Sequence, residues 1–100
     1  MSGLPQFLVV GAQKAGTTTL QTLLDLHPKV FLPKPKEVHY FSLHFAEGLN
    51  WYRNRFAAAA DDQCIGEITP YYLFHPFAAE RIKASLGPVK IIILLRDPLA

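Results

Sequence analysis

Cysteine is almost missing from this chain of 100 residues. Cys64 stands alone, which excludes an internal disulfide framework and a cysteine-based zinc cluster. Long apolar runs are missing too. The longest, Phe7 to Val10 and Val89 to Leu95 with Lys90 inside it, fall far below the roughly 20 residues that a membrane span needs. No basic stretch followed by an apolar segment of secretory length opens the chain, so no signal peptide is visible. Excess charge is also scarce, since a net charge of +2 is no argument for nucleic-acid binding without a basic patch. Internal repeats and flexible linkers are absent as well. What is present, 50% hydrophobic and 18% charged side chains, is a globular composition with enough apolar matter for one modest core. These features lead us to expect a domain, or a piece of one, from a reducing compartment, with no nucleic-acid partner and no membrane segment.

The chain reads as strand, loop, helix, repeated. Phe7 to Val10 is continuously apolar and ends in Gly11, the mark of a strand buried on both faces. Thr17 to Leu26 follows, with Leu20, Leu23 and Leu24 at the spacing of a helix packed on a sheet. Val30 to Leu32 predicts a second strand closed by Pro33 and Pro35, and Cys64 to Ile68 a third, stopped by Pro70. The stretch Trp51 to Ala60, ending in a run of alanines, predicts a helix. Another is predicted over Phe77 to Leu86, with Ala78, Ile82 and Leu86 on one side and Gly87-Pro88 as its stop. Val89 to Leu95 has the strongest strand character, and its isoleucines suit a fully buried position. Alternating strands and helices imply parallel pairing and an α/β layer architecture. Because ligands gather at the carboxyl ends of such strands, we expect residues 1–100 to be the amino-terminal portion of a larger three-layer domain.

Gly11-Ala12-Gln13-Lys14-Ala15-Gly16-Thr17-Thr18-Thr19 lies between a predicted strand and a predicted helix, the context of a phosphate-binding loop. Its glycines permit a tight turn, and the helix start supplies free N–H donors and partial positive charge. Compared with the nucleotide-triphosphatase pattern G-x-x-x-x-G-K-[ST], the glycine spacing and Thr18 agree. Thr17, however, occupies the lysine place, and the only lysine of the loop is Lys14. A lysine inside the loop hangs over the first phosphate and the bond beyond it. The chemistry implied is transfer of a group attached directly to a nucleoside 5′-phosphate, and ATP hydrolysis is disfavoured.

Phe7 to Thr18 resembles the 5′-phosphosulfate loop of sulfotransferases that use 3′-phosphoadenosine-5′-phosphosulfate (PAPS), most closely the glycan-sulfating branch typified by heparan sulfate sulfotransferases and their bacterial relatives. The segments Lys36-Glu37-Val38-His39-Tyr40-Phe41, Gly66-Glu67-Ile68-Thr69-Pro70-Tyr71-Tyr72 and Leu94-Leu95-Arg96-Asp97-Pro98 resemble that family in order and spacing. The resemblance implies a P-loop-like parallel sheet flanked by helices, PAPS as sulfuryl donor without a metal, and a small-molecule or glycan acceptor. It implies that Lys14 stabilises the bridging oxygen as sulfur departs. Lys14, Ala15, Gly16, Thr17 and Thr18 would hold the 5′-phosphate, and Arg96 the 3′-phosphate, for which a guanidinium fork is well suited. Glu37 would be the general base, with Lys36 and Glu67 lining the acceptor cleft. For Glu67 a plain strand-end carboxylate is the competing reading. Lys29, Lys34 and Lys36, in a stretch with no acid, form either one wall of an anionic-sugar cleft or a solvated loop.

The histidines do not suggest a metal. His39 and His44 are five apart, not on one helical face as a zinc pair requires. Trp51, Tyr52 and Phe56 read as core. A P-loop kinase with a degenerate loop and an inactive nucleotide-binding piece remain the rival functions. A cytoplasmic location is expected, with the Golgi lumen as alternative; the acceptor and oligomeric state stay open. Replacing one preorganised charge donor typically costs ~10²–10³ in turnover. Lys14→Ala is therefore expected to lose most sulfuryl transfer while its circular dichroism and thermal unfolding stay those of the parent; an active, normally folded variant refutes the assignment.

Overall fold

The computed structural model describes residues 3–11, 16–34 and 37–95. Four strands, β1 (Phe7–Gly11), β2 (Val30–Phe31), β3 (Cys64–Ile68) and β4 (Lys90–Leu94), form one sheet in the order β2-β3-β1-β4. Every pairing is parallel, with Leu8 beside Glu67, Val9 beside Ile68, and Gly11 beside Leu94. The α/β architecture expected from the sequence is what the chain forms.

Alternation along β1 divides the core in two, because successive side chains of a strand face opposite sides. Val9 and Ile68 point to one side and pack with Leu32 against Leu20 and Leu24 of α1 (Thr17–Asp25). Leu8 and Val10 point to the other and join Tyr40, Phe41, Tyr52, Phe56, Tyr72, Ala78 and Ile82. That second cluster includes side chains from α2 (Leu49–Asn54) and α3 (Ala78–Leu86). Helices therefore lie on both faces of the sheet. The aromatic face is tightly interlocked: the Tyr40 and Tyr52 rings stack at 4.4 Å, and Phe41 meets Tyr52 edge-on at 5.1 Å. Such pairs contribute about 0.5–1.5 kcal/mol each beyond area burial.

Three expectations are corrected. The predicted helix over Trp51 to Ala60 ends at Asn54, and the alanines continue as a series of tight turns. Alanine favours helix intrinsically, but a short helix needs an apolar face to bury, and beyond Phe56 there is none. Leu23 does not share the packed stripe of α1; it is 61% exposed, whereas Leu20 and Leu24 touch the sheet. Finally, β4 is not fully buried. Among the described residues, Ile91, Ile92 and Ile93 are 44%, 42% and 52% exposed, β4 being the outer strand of the order β2-β3-β1-β4.

Gly11 shows how close β1 and β4 lie. A Cβ there would stand 2.1 Å from the carbonyl oxygen of Leu94, so any side chain must push the strands apart. Overpacking of this kind typically costs about 1–3 kcal/mol. Gly11→Ala is expected to lower the free energy of chemical unfolding by that amount; a variant as stable as the parent contradicts the close approach.

Candidate functional site

Parallel strands deliver all their carboxyl ends to one edge of the sheet. From β1 the chain passes first to β2 and β3 on one side, and later to β4 on the other. The carboxyl end of β1 is thus the topological switch point where open α/β sheets bind ligands. The described residues that follow the strands at that edge are residues 32–34 after β2, the 3₁₀ turn Pro70–Leu73 after β3, and Leu95 after β4. Thr69 is tied to this edge by its amide, which donates to the Val9 carbonyl at 3.1 Å. Lys14, Ala15, Lys36 and Arg96 lie outside the described residues.

Gly16 caps α1 in a left-handed conformation, φ 94° and ψ 12°, which glycine adopts without steric cost. Among the described residues no atom lies within 4 Å of where a Cβ at Gly16 would be. The first turn of α1 contains no acidic residue, and Thr18 is exposed beside it. A helix start bordered by glycine, with free backbone N–H groups and no acid in its first turn, is suited to an anion.

Glu37 and His39 come together on the segment after β2. Glu37 Oε1 lies 3.1 Å from His39 Nε2, and the two side chains are 34% and 22% exposed. His39 Nδ1 lies 3.2 Å from Ser42 Oγ, so both ring nitrogens are engaged and the imidazole plane is held. The backbone of His39 sits at φ 56°, the only left-handed non-glycine among the described residues. A histidine there costs of order 1–3 kcal/mol. Its carbonyl recovers bonds in return, accepting from the Leu43 and His44 amides at 2.8 and 3.0 Å and from Ser42 Oγ at 3.3 Å. The Tyr71 ring closes the other side of the imidazole at 6.0 Å between centroids. Sequence reasoning weighed His39 as a metal ligand and as part of the family-like segment Lys36 to Phe41, and gave it no contact with Glu37. No sequence signal announced the contact, which depends on the left-handed backbone of His39.

Glu67 is completely buried. The Tyr52 hydroxyl donates to its Oε2, while the Tyr72 hydroxyl and Thr69 Oγ1 donate to Oε1, the latter at 2.8 Å. Burial raises the Glu67 pKa above the ordinary carboxylate value, and the three hydroxyl bonds only partly offset it. Burial and the neighbouring carboxyl drive the Tyr52 and Tyr72 hydroxyls well above the ordinary tyrosine range, so both remain protonated donors. Glu67 thus sits inside the aromatic core with its oxygens taken by protein hydroxyls. No sequence signal announced its partners, which come from α2, the Pro70–Leu73 turn and its own strand end.

Lys29 is excluded from any lysine wall at this edge. It precedes β2, and its ammonium pairs with Asp62, which precedes β3, on the exposed opposite side of the sheet. Lys34 is exposed. Among the described residues no His, Cys, Asp and Glu group has the arrangement of a metal site, and no helix is long and apolar enough to cross a membrane.

Comparison with known proteins bears on this geometry. A family profile described as "Sulfotransferase domain" matches residues 4–100. The membrane-associated sulfotransferase kil1 of Dictyostelium discoideum is 40% identical over 98 residues, covering 95% of this chain and 21% of that protein. The human heparan sulfate glucosamine 3-O-sulfotransferase 3B1 is 37% identical over 95 residues, covering 95% of this chain and 24% of that protein. The crystal structure of a sulfotransferase from Alicyclobacillus acidocaldarius superposes with a TM-score of 0.78 at 29% identity, over 89% of this chain and 43% of that one. This chain spans only 21–24% of the length of those two curated relatives.

The buried carboxyl has a measurable signature. A native pKa raised above the unfolded one means that Glu67 contributes stability fully at pH below the ordinary carboxylate range, and loses it as pH rises toward the native pKa. Chemical denaturation from pH 4 upward is expected to show the parent losing stability relative to Glu67→Gln. A pH-independent difference between the two proteins contradicts the raised pKa.

Proposed function

The chain belongs to the sulfotransferase family, and on that premise we propose that the protein moves the sulfuryl group of PAPS onto a hydroxyl or amine acceptor, with residues 1–100 as the amino-terminal portion of the catalytic domain. The observation that carries this reading is the contact between Glu37 and His39 at the carboxyl edge of the sheet, on the same edge as the loop that ends in Gly16.

Sulfuryl transfer resembles phosphoryl transfer in depending on positioning and electrostatics. The acceptor oxygen attacks sulfur in line with the bridging oxygen of the 5′-phosphosulfate. One S–O bond forms as the other breaks, the acceptor proton passes to the Glu37 carboxylate, and the charge released on the phosphate side is met by Lys14 and the start of α1. His39 holds Oε1 of Glu37 and so orients the base. Gly16, Thr17 and Thr18 would bind the 5′-phosphate, with Ala15 beside them, and Arg96 the 3′-phosphate. Because a sulfuryl group carries less negative charge than a phosphoryl group, the reading needs a lysine rather than a divalent metal.

A carbohydrate acceptor is favoured by the heparan sulfate glucosamine named for the human relative, with Lys36 as the cation nearest Glu37 in sequence. Glu67, enclosed by hydroxyls, contributes to the acceptor cleft from behind, by fixing its wall, rather than as a contact. For location the cytoplasm is kept as the first reading. The Golgi lumen is the second, in keeping with the membrane association named for the Dictyostelium relative.

One experiment tests both the ligand and the base. Calorimetric titration with 3′-phosphoadenosine 5′-phosphate and with ATP, on the parent and on Glu37→Gln, is expected to show binding of the former by both proteins. Sulfuryl transfer should fall about 10²–10⁴-fold in the variant. Preference for ATP would favour a kinase, binding of neither an inactive module, and equal loss of affinity and rate a folding defect.

A further inference from the structure

The turn that presents Glu37 and His39 is gripped from two sides at the next residues along the chain. On one side, the Phe41 amide donates to the Tyr72 hydroxyl oxygen at 3.3 Å. Because that oxygen accepts from Phe41, the single Tyr72 proton is directed elsewhere, and it goes to Glu67 Oε1. Tyr52 and Thr69 hold the same carboxyl, so Tyr72 cannot swing without breaking a buried network. On the other side, Arg81 of α3 donates from Nη1 to the carbonyls of Phe41 and Ser42, each at 3.3 Å. Its guanidinium lies 4.5–6 Å-range distances from two rings, 4.7 Å from Phe45 and 5.6 Å from Phe77, which fixes its direction. The peptide units around Phe41 are thus held at the amide by β3 and its following turn, and at the carbonyls by α3. This arrangement offsets the strained left-handed backbone of His39 two residues earlier.

We propose that Tyr72, oriented by the buried Glu67, and Arg81 are positioning residues that lock the Phe41 backbone and thereby aim the Glu37–His39 pair. The catalytic consequence rests on the reading of Glu37 as the base; the mechanical one does not. A misplacement of about 1 Å can cost ~10²-fold in rate, so loosening either grip lowers kcat while the helix-start phosphate site, on another element, keeps its affinity.

The test uses Tyr72→Phe and Arg81→Lys in the intact protein. Each is expected to lower kcat at least tenfold, with KM for PAPS within about twofold. Amide hydrogen exchange at Phe41 and Leu43 should accelerate at least tenfold while the amides of β1 and β3 keep their protection. Parental exchange at Phe41 in both variants overturns the proposal, as does a general rise in exchange across the sheet with a parallel rise in KM, which marks a structural role alone. Should Tyr72→Phe fail to fold, Arg81→Lys decides by the same readouts, since it leaves the Glu67 network intact. If Glu37→Gln keeps its full rate, the base assignment fails, and the exchange measurement alone still decides whether the turn is locked.

Discussion

A fully buried carboxyl group ties this fold together near the carboxyl end of β3. Glu67 enters the aromatic core opposite Leu8 and is accepted there because Tyr52, Tyr72 and Thr69 turn their hydroxyls to it. Left without those partners, a buried carboxylate costs several kcal/mol. With them, one side chain ties α2 to the end of β3 and the turn that follows it. Removing any one hydroxyl leaves a lone pair unmet in a place water does not reach, so the network stands or falls as a unit.

From that network order spreads outward to the exposed chemistry. Tyr72 passes it to Phe41, Arg81 secures the neighbouring carbonyls, and the segment so fixed ends in a histidine forced into a left-handed backbone beside a glutamate. Strain of this kind persists only where the surroundings over-determine it. The opposite face of the sheet works differently. There Leu20 and Leu24 of α1 pack against Val9, Leu32 and Ile68.

Membership of the sulfotransferase family and the geometry of the sheet explain each other. Parallel strands in the order β2-β3-β1-β4 make β1 the switch point, and the glycine-bordered loop leaves from there. A fold with these strands in another order would scatter the same motifs along the sheet.

Much of the architecture was legible in the chain itself. The apolar run at Phe7 to Val10, the leucines of α1, and the glycines and prolines that punctuate the rest are local signals, and each element they announced is present. Glycine at 11 and 16, threonine at 17 and lysine at 14 likewise set this segment apart from the triphosphatase pattern. The tertiary structure alone decided what depends on partners far away in sequence. The alanines after Phe56 lose their helix because nothing lies opposite them, and Glu67 turns from a strand-end acid into a buried anchor because two tyrosines reach it. His39 becomes the companion of Glu37 through a backbone bend that its neighbours enforce. Local preference is written residue by residue; burial and hydrogen-bond partnership exist only once the chain has closed on itself.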